Sequence, residues 1–456
     1  MTGVTIMRIR EIRIEKLFDV FDHIIPLNME DHITIIHGPN GYGKTNILRL
    51  IDAIFYLKYS VIYSIPFKSI EIEFENEESL KIEQIVGQDK SVKIKFSHIK
   101  NKKTVDNSIE VEDNYYDKII EHKDFDTVIL PEAERAAQNT RWLSRKDYLF
   151  WKNNTNDTIL NAIQVIETYG NETILLNYKD IPEWLKQLTN LEIRKIETER
   201  LYSDPMQMDI QKQLLSKTVF NSIFIFQNEL IALINKVRNE YAVFSQKIDS
   251  SFLVRLSGIG NEIAPDDMKS RFGQIVELQS RLVEAGIIDK PETSDLNPDL
   301  LNNDMLKSPN TSLFLNDTLN KLMIYKPLLE RIELLKKLVN KRYLFKKLNI
   351  NKYLGFEFIA KSGRSISPPQ LSSGEQHLLV MFFDLIFKTQ PGTLVLIDEP
   401  ELSLHLIWQN DFLKALSQII EINEIDIIIA THAPDLIQDR WDLTVELKGI
   451  EDDNEK

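Results

Sequence analysis

The sequence predicts an α/β fold: a mixed sheet with an antiparallel β subdomain, split by a helical, coiled-coil-like insertion. Three observations carry this. Short apolar runs stand near both ends of the 456-residue chain, at Ile33–Ile36 and again at Thr393–Ile397 and within "IDIIIATHAP" (residues 425–434). Residues 69–96 alternate apolar and polar side chains, as half-buried strands do. Between the two ends lies a long stretch of helical periodicity.

In chain order, "RIREIRIEKL" alternates through Ile9, Ile12 and Ile14 and reads as an early strand. Ile33–Ile36 forms an apolar strand, followed by a glycine-rich turn and a helix through Leu48, Ile51 and Phe55. Ile70, Ile72 and Phe74, then Leu80 and Ile82, then Val92, Ile94 and Phe96 mark the strands of a small β subdomain. Residues 100–195 are rich in Asn and Asp and carry weaker patterns, with Trp142 and Trp151 as core or interface candidates. Val219, Ile223, Phe226, Leu230, Ile234, Val237, Tyr241 and Phe244 then recur at steps of 4, 3, 4, 4, 3, 4 and 3, the stripe of a packed amphipathic helix. A second helical stretch covers roughly 311–348, with Pro291, Pro298, Pro309 and Pro327 breaking the region between and within. The two are expected to pair as an antiparallel arm, too short for a long coiled-coil rod. Strand signals return at "LGFEFIA" (354–360) and end at "LTVELKG" after Trp441. The expected organisation is an N-terminal lobe over 1–200, a helical arm over 201–350 and a C-terminal lobe over 351–456 that completes the sheet.

Composition narrows the function classes. The chain is 43% hydrophobic without an uninterrupted apolar stretch of membrane-spanning length, and its start lacks a signal-peptide pattern, so a soluble, cytoplasmic protein is expected. With no cysteine, disulfides, Cys zinc sites and Cys nucleophiles are excluded. A net charge of −14 argues against wrapping nucleic acid over the whole surface. It leaves room for a local basic patch, and "RIELLKKLVNKRYLFKK" (331–347) could be one, or simply a solvated helix face.

Three short stretches carry chemistry. "GPNGYGKT" comprises Gly38, Pro39, Asn40, Gly41, Tyr42, Gly43, Lys44 and Thr45, and fits G-x-x-x-x-G-K-[ST] between a predicted strand and helix, the context that pattern requires. Its glycines let backbone N–H groups curl around phosphate oxygens, and the helix N-terminus adds a favourable dipole. Lys44 is expected to bridge the β- and γ-phosphates of a nucleoside triphosphate, and Thr45 to ligate Mg²⁺ through its hydroxyl. In "LIDEPELSLH" (396–405) two acids stand where an apolar strand stops. Adjacent strand residues point to opposite faces, so the acids do different jobs. Asp398 can hold Mg²⁺, directly or through water, while Glu399 polarises the water that attacks the γ-phosphate. "QLSSGEQHLLVMFFDLIF" places Ser372, Ser373 and Gly374 before a helix with an apolar face of Leu378, Leu379, Phe382, Leu385 and Ile386. A serine there can cap the helix, or its hydroxyl and the adjacent N–H groups can bind an anion.

These stretches, in this order, resemble the ABC-type ATPases. "LSSGEQ" is similar to their signature motif, "LVLIDEPELSLH" to their acidic strand motif and following D-loop, and His432 in "IIIATHAP" to their switch histidine. The resemblance implies two heads that sandwich two ATP molecules, with the Ser372, Ser373 and Gly374 loop of one protomer on the γ-phosphate held by the other. His432 would hydrogen-bond that phosphate in cis. The family's Q-loop glutamine has no clear counterpart: Gln84 lies in a hairpin, Gln138 in a weakly patterned segment, and "RKIETERL" (194–201) offers Glu199 where a glutamine is expected.

The large insertion and "DEPELSLH" are similar to the SMC/RecF/OLD side of the family. A zinc hook needs paired cysteines, which the chain lacks, and no TOPRIM nuclease is expected behind a head that ends soon after His432. The compact head and modest arm resemble the stand-alone ATPases of bacterial anti-phage systems, most of all the AriA subunit of PARIS and next the PtuA subunit of Septu. This implies a homodimer or higher homo-oligomer that partners a separate TOPRIM-like or HNH nuclease or toxin. The alternatives are a DNA repair or replication ATPase whose closing heads clamp duplex DNA, and a transporter motor, for which no membrane-docking element is evident.

Overall fold

Five strands are parallel and lie side by side in the order Ile193–Glu197, Leu394–Asp398, Asp426–Thr431, Ile33–His37 and Thr444–Glu446. The computed structural model describes residues 7–87, 92–101, 103–112, 128–139, 143–146, 150–153, 159–169, 181–197, 208–257, 265–290, 308–402 and 404–448. A parallel sheet must be covered on both faces, and the strand residues sort accordingly. Ile33, Ile35, Val395, Ile397, Ile427 and Ile429 enter one core, shared with the helical insertion and the helix Ser373–Phe387. Ile36, Leu394, Leu396, Ile428 and Ala430 enter the other, beneath the antiparallel sheet. Register aligns Glu197 with Asp398, Asp398 with Ala430, and Ala430 with Ile36. The carboxyl ends of four strands from distant parts of the chain therefore open along one edge, where α/β sheets hold ligands.

The antiparallel sheet has the order Phe21–Pro26, Ile9–Leu17, Ser69–Phe74, Glu78–Val86, Val92–Lys100 and Lys103–Glu112. Its alternating pattern does what the sequence predicts: Ile12 faces Ile72, Ile72 faces Leu80 and Ile82 faces Phe96, all buried. Between the two sheets runs the helix Lys44–Phe55, burying Ile47, Leu48, Ile51 and Phe55 in the same core. Gln84 braces the end of this sheet, its amide donating to the Ile62 and Ile65 carbonyls at 2.6 and 2.9 Å and its carbonyl oxygen accepting from the Phe67 N–H. It is a structural glutamine. The helices Leu130–Asn139 and Ala162–Tyr169 and three short strands share a separate small core around Trp151, while Gln138 is exposed. Trp142 and Glu199 lie outside the described residues.

The insertion begins with the helix Met208–Ser250, longer than the stripe that predicts it; Ile223, Phe226, Leu230 and Ile234 are buried, and the side chain of Val219 is not among those described. It runs antiparallel to the helix Pro309–Met323: Asp249 pairs with Lys321 at 2.6 Å and Arg255, just beyond, with Asp317 at 2.6 Å. A third helix, Pro265–Glu284, joins them, where the sequence pattern suggests only an interrupted connection. The second helical stretch is corrected at its end. Pro327 opens the helix Lys326–Arg342 rather than breaking one, and the chain then turns into the strand Lys346–Asn351. Asn340 drives the turn, its amide oxygen accepting from Leu348 N–H at 2.6 Å and its amide N–H donating to the Leu348 carbonyl at 3.0 Å. Leu348 and Ile350 are buried against Phe358 and Phe356 of the neighbouring strand Gly355–Ala360.

The basic segment is engaged internally. Lys336 bonds to the Glu284 carbonyl, Lys337 to Gln418, Lys341 to Asp411 and Lys346 to Glu375, while Arg342 donates to the Leu338 and Asp411 carbonyls and lies over the Phe382 ring. Burial depresses the pKa of Arg331.

Candidate nucleotide-binding site

Where His37 ends its strand the chain needs backbone conformations that side chains disfavour. Gly41 and Gly43 sit at φ 91° and 86°, and a Cβ on Gly43 would lie 2.6 Å from Cδ2 of Leu17. Gly43 precedes the helix Lys44–Phe55 without any side-chain cap, so the first-turn amides remain available to an anion.

Lys44 is 5% exposed. Its ammonium donates to the Gly38 and Pro39 carbonyls at 2.7 and 3.0 Å and approaches Nδ1 of His432 at 3.2 Å. Burial depresses its pKa, and Glu399, Asp398 and Glu401 act in the opposite direction. An ammonium can only donate, so His432 accepts through Nδ1 and carries its proton on Nε2, which lies 3.9 Å from Oε1 of Glu399. Thr45 donates its hydroxyl to Oδ1 of Asp398 at 3.1 Å. The two acids take separate places: Asp398, the last strand residue, accepts from Thr45, whereas Glu399, just beyond the strand, lines the cavity. Glu399 adopts a left-handed φ of 47°, held by its N–H on the Ala430 carbonyl at 2.8 Å.

The cavity measures about 910 Å³ and is lined in part by Asn40, Gly41, Gly43, Lys44, Thr45, Glu399 and His432. Gly38 and Pro39 reach the site through their carbonyls. Tyr42 does not line it: its ring packs 5.2 Å from that of Phe21, and its carbonyl meets His23. Ser372, Ser373 and Gly374 are also absent from the lining. Ser372 caps its own helix instead, exchanging hydrogen bonds with Glu375.

Glu401 is a site residue that the sequence motifs do not single out. Its Oε1 accepts from the Thr431 hydroxyl at 2.7 Å and the His432 N–H at 2.9 Å, fixing the loop that carries the histidine, while its buried Oε2 has no hydrogen-bond partner among the described residues. Phe18, in a turn at φ 56°, and Arg49, on the second turn of the helix, complete part of the rim. The acidic residue after Pro400 is the signal that could have found Glu401; nothing local marks Phe18.

Among the described residues no group of three His, Asp or Glu could hold a metal alone. Thr45 and Asp398 fit Mg²⁺, which typically takes one or two protein oxygens together with phosphate and water.

A strand, glycine turn and helix whose lysine faces acids and a histidine from neighbouring parallel strands defines a P-loop nucleotide-binding head. The family profile described as "AAA domain, putative AbiEii toxin, Type IV TA system" matches residues 33–438, and the chain belongs to that family. Among solved structures it is similar to the Smc head domain with an extended coiled coil bound to the C-terminal domain of ScpA from Pyrococcus furiosus, at 13% identity over 97% of this chain and 94% of that one, with a TM-score of 0.34. It is also similar to the SMC head domain from Thermotoga maritima, at 10% identity over 94% and 91% of the two chains, with a TM-score of 0.30. No curated protein matches the sequence. No helix among the described residues is long and apolar enough to cross a membrane.

Proposed function

We propose that the chain binds and hydrolyses ATP with Mg²⁺ at this cavity, and that pairs of heads complete each other's sites. The observation that carries the reading is the buried Lys44 ammonium, poised between loop carbonyls and His432 with three carboxylates around it. Desolvation makes a triphosphate a better partner than carbonyl dipoles, so Lys44 is set to leave Gly38 and Pro39 for the β- and γ-phosphates. That departure releases Nδ1 of His432 and leaves its Nε2–H as a donor toward the γ-phosphate. Thr45, oriented by Asp398, would hold Mg²⁺, whose charge would offset that of the phosphate oxygens. Glu399 lines the cavity with a carboxylate able to take the proton of the attacking water. Ser372, Ser373 and Gly374 serve the partner's nucleotide.

In this reading the nucleotide state governs how the assembly holds and releases a separate toxin or nuclease during anti-phage defence. The family's description, which names a toxin and a toxin–antitoxin system, supports that setting. The finer resemblance, to AriA of PARIS or PtuA of Septu, rests on the compact head and modest arm read from the sequence. DNA clamping is less favoured because five basic residues of the 331–347 segment are bonded within the protein.

Phosphate release by the wild type and light scattering of Glu399→Gln with and without ATP and Mg²⁺ test the reading. Wild-type turnover, lost in the variant, together with ATP-dependent assembly of that variant, supports it; an unchanged mass with ATP and Mg²⁺ contradicts the shared site.

A further inference from the structure

Ser372 stands one helical turn from an acid that a polyphosphate should repel. Oε2 of Glu375 accepts from the Ser372 N–H at 2.8 Å and from its hydroxyl at 2.9 Å. The serine that would meet the partner's γ-phosphate thus spends its proton on a carboxylate of its own chain. That carboxylate is compensated from the arm. Lys346, first residue of the strand that follows the arm's last helix, places its ammonium 2.8 Å from the same Oε2, and both side chains are largely buried. Three residues earlier, buried Tyr343 donates its hydroxyl to the Glu375 carbonyl at 2.7 Å. Burial disfavours the Glu375 carboxylate, but Lys346 and the Ser372 N–H and hydroxyl more than offset this, and its pKa lies below the usual range. Farther along the same helix, Asp384 is clamped to Arg194 of the edge strand, with one bond of 2.6 Å. The helix body is anchored to the sheet, while its first turn answers to the arm root.

We propose that Lys346 is a positioning residue for the trans-acting serine: it neutralises Glu375 and, with Tyr343, ties the Ser372 hydroxyl to the root of the helical arm, so that displacing the arm offers or withdraws that hydroxyl. This rests on the shared-site reading above. With Lys346 in place, Ser372 can transfer its hydrogen bond from Glu375 to a phosphate oxygen without leaving a bare charge beside the nucleotide. Without Lys346, the same exchange sets carboxylate against phosphate.

The test uses the full-length chain carrying Lys346→Met, Lys346→Arg, Glu375→Gln and the Lys346→Met/Glu375→Gln pair, each read for turnover, for affinity of a fluorescent ATP analogue and, in a Glu399→Gln background, for ATP-driven assembly. Lys346→Met is expected to keep nucleotide affinity within about twofold while turnover and assembly fall at least about tenfold. Lys346→Arg restores most of the loss, and adding Glu375→Gln to Lys346→Met restores assembly because the uncompensated charge is gone. A merely structural pair would lower nucleotide affinity and thermal stability in step with turnover, whether or not the second mutation rescues them, and that result overturns the inference, as does wild-type assembly by Lys346→Met. Failure of Glu399→Gln alone to assemble overturns the shared site and this inference together; assembly indifferent to Lys346 overturns this inference alone.

Discussion

The cradle around Lys44 and the serine turn at Ser372 are built in opposite ways. Side chains 388 and 353 residues apart meet in the cradle, where Lys44 reaches His432 and Thr45 reaches Asp398. Ser372 bonds to Glu375, three residues away, and lies outside the lining of its own chain's cavity. A cradle stitched from three strand ends is assembled within one chain. A serine turn capped by its own acid lies apart from that cradle, and under the proposed shared site it would act only on a second copy's nucleotide. Changes in the first region should therefore act on binding, and changes in the second on turnover and assembly.

The largest expected effect lies in the cradle. Lys44→Ala should lower ATP affinity by at least roughly a hundredfold in calorimetric titration, about 3 kcal/mol for deleting one member of a buried charge pair. Affinity at the wild-type level would show that the cradle is not built for phosphate. Ser372→Arg sharpens the contrast: affinity should stay near wild type while turnover drops roughly thirtyfold, because an arginine removes the helix cap and fills the space a partner's phosphate requires. A matching loss of both quantities would erase the distinction between the regions. Glu401→Ala should be milder, lowering kcat about tenfold with little change in KM, since the loop bearing His432 loses two hydrogen bonds of about 1 kcal/mol each. Glu401→Gln keeps an accepting oxygen and should recover part of that rate.

Legibility from sequence followed the range of the interactions. The glycine turn, the strand before it and the helix after it were readable because spacing within eight residues fixes them. The central strands were readable as apolar runs, and parallel pairing then brought Asp398 and His432 to the Lys44 edge. Glu401 escaped because its partners, Thr431 and His432, are thirty residues away and are met only after the strands align. The start of the strand Lys346–Asn351 looks helical in sequence because "KKLNIN" continues a lysine-rich helical run; the Asn340 side chain, bonding to Leu348, overrides that continuity. Likewise, the basic run at 331–347 reads equally as a patch or a solvated helix face, since charge alone does not reveal that the Glu284 carbonyl, Asp411 and Glu375 wait opposite. Gln84 was a Q-loop candidate by residue type only, and its bonds to Ile62 and Ile65 assign it to a turn.

The composite site can be tested by mixing two inactive variants. Lys44→Ala lacks a cradle but keeps its serine turn, and Ser372→Arg keeps the cradle but cannot serve a neighbour; co-refolded or co-expressed, they form mixed pairs with one intact site. ATP turnover should be low for each variant alone and should reappear in the mixture. Turnover by Ser372→Arg alone at the wild-type rate, or a mixture no more active than the sum of its parts, would contradict a site shared between heads.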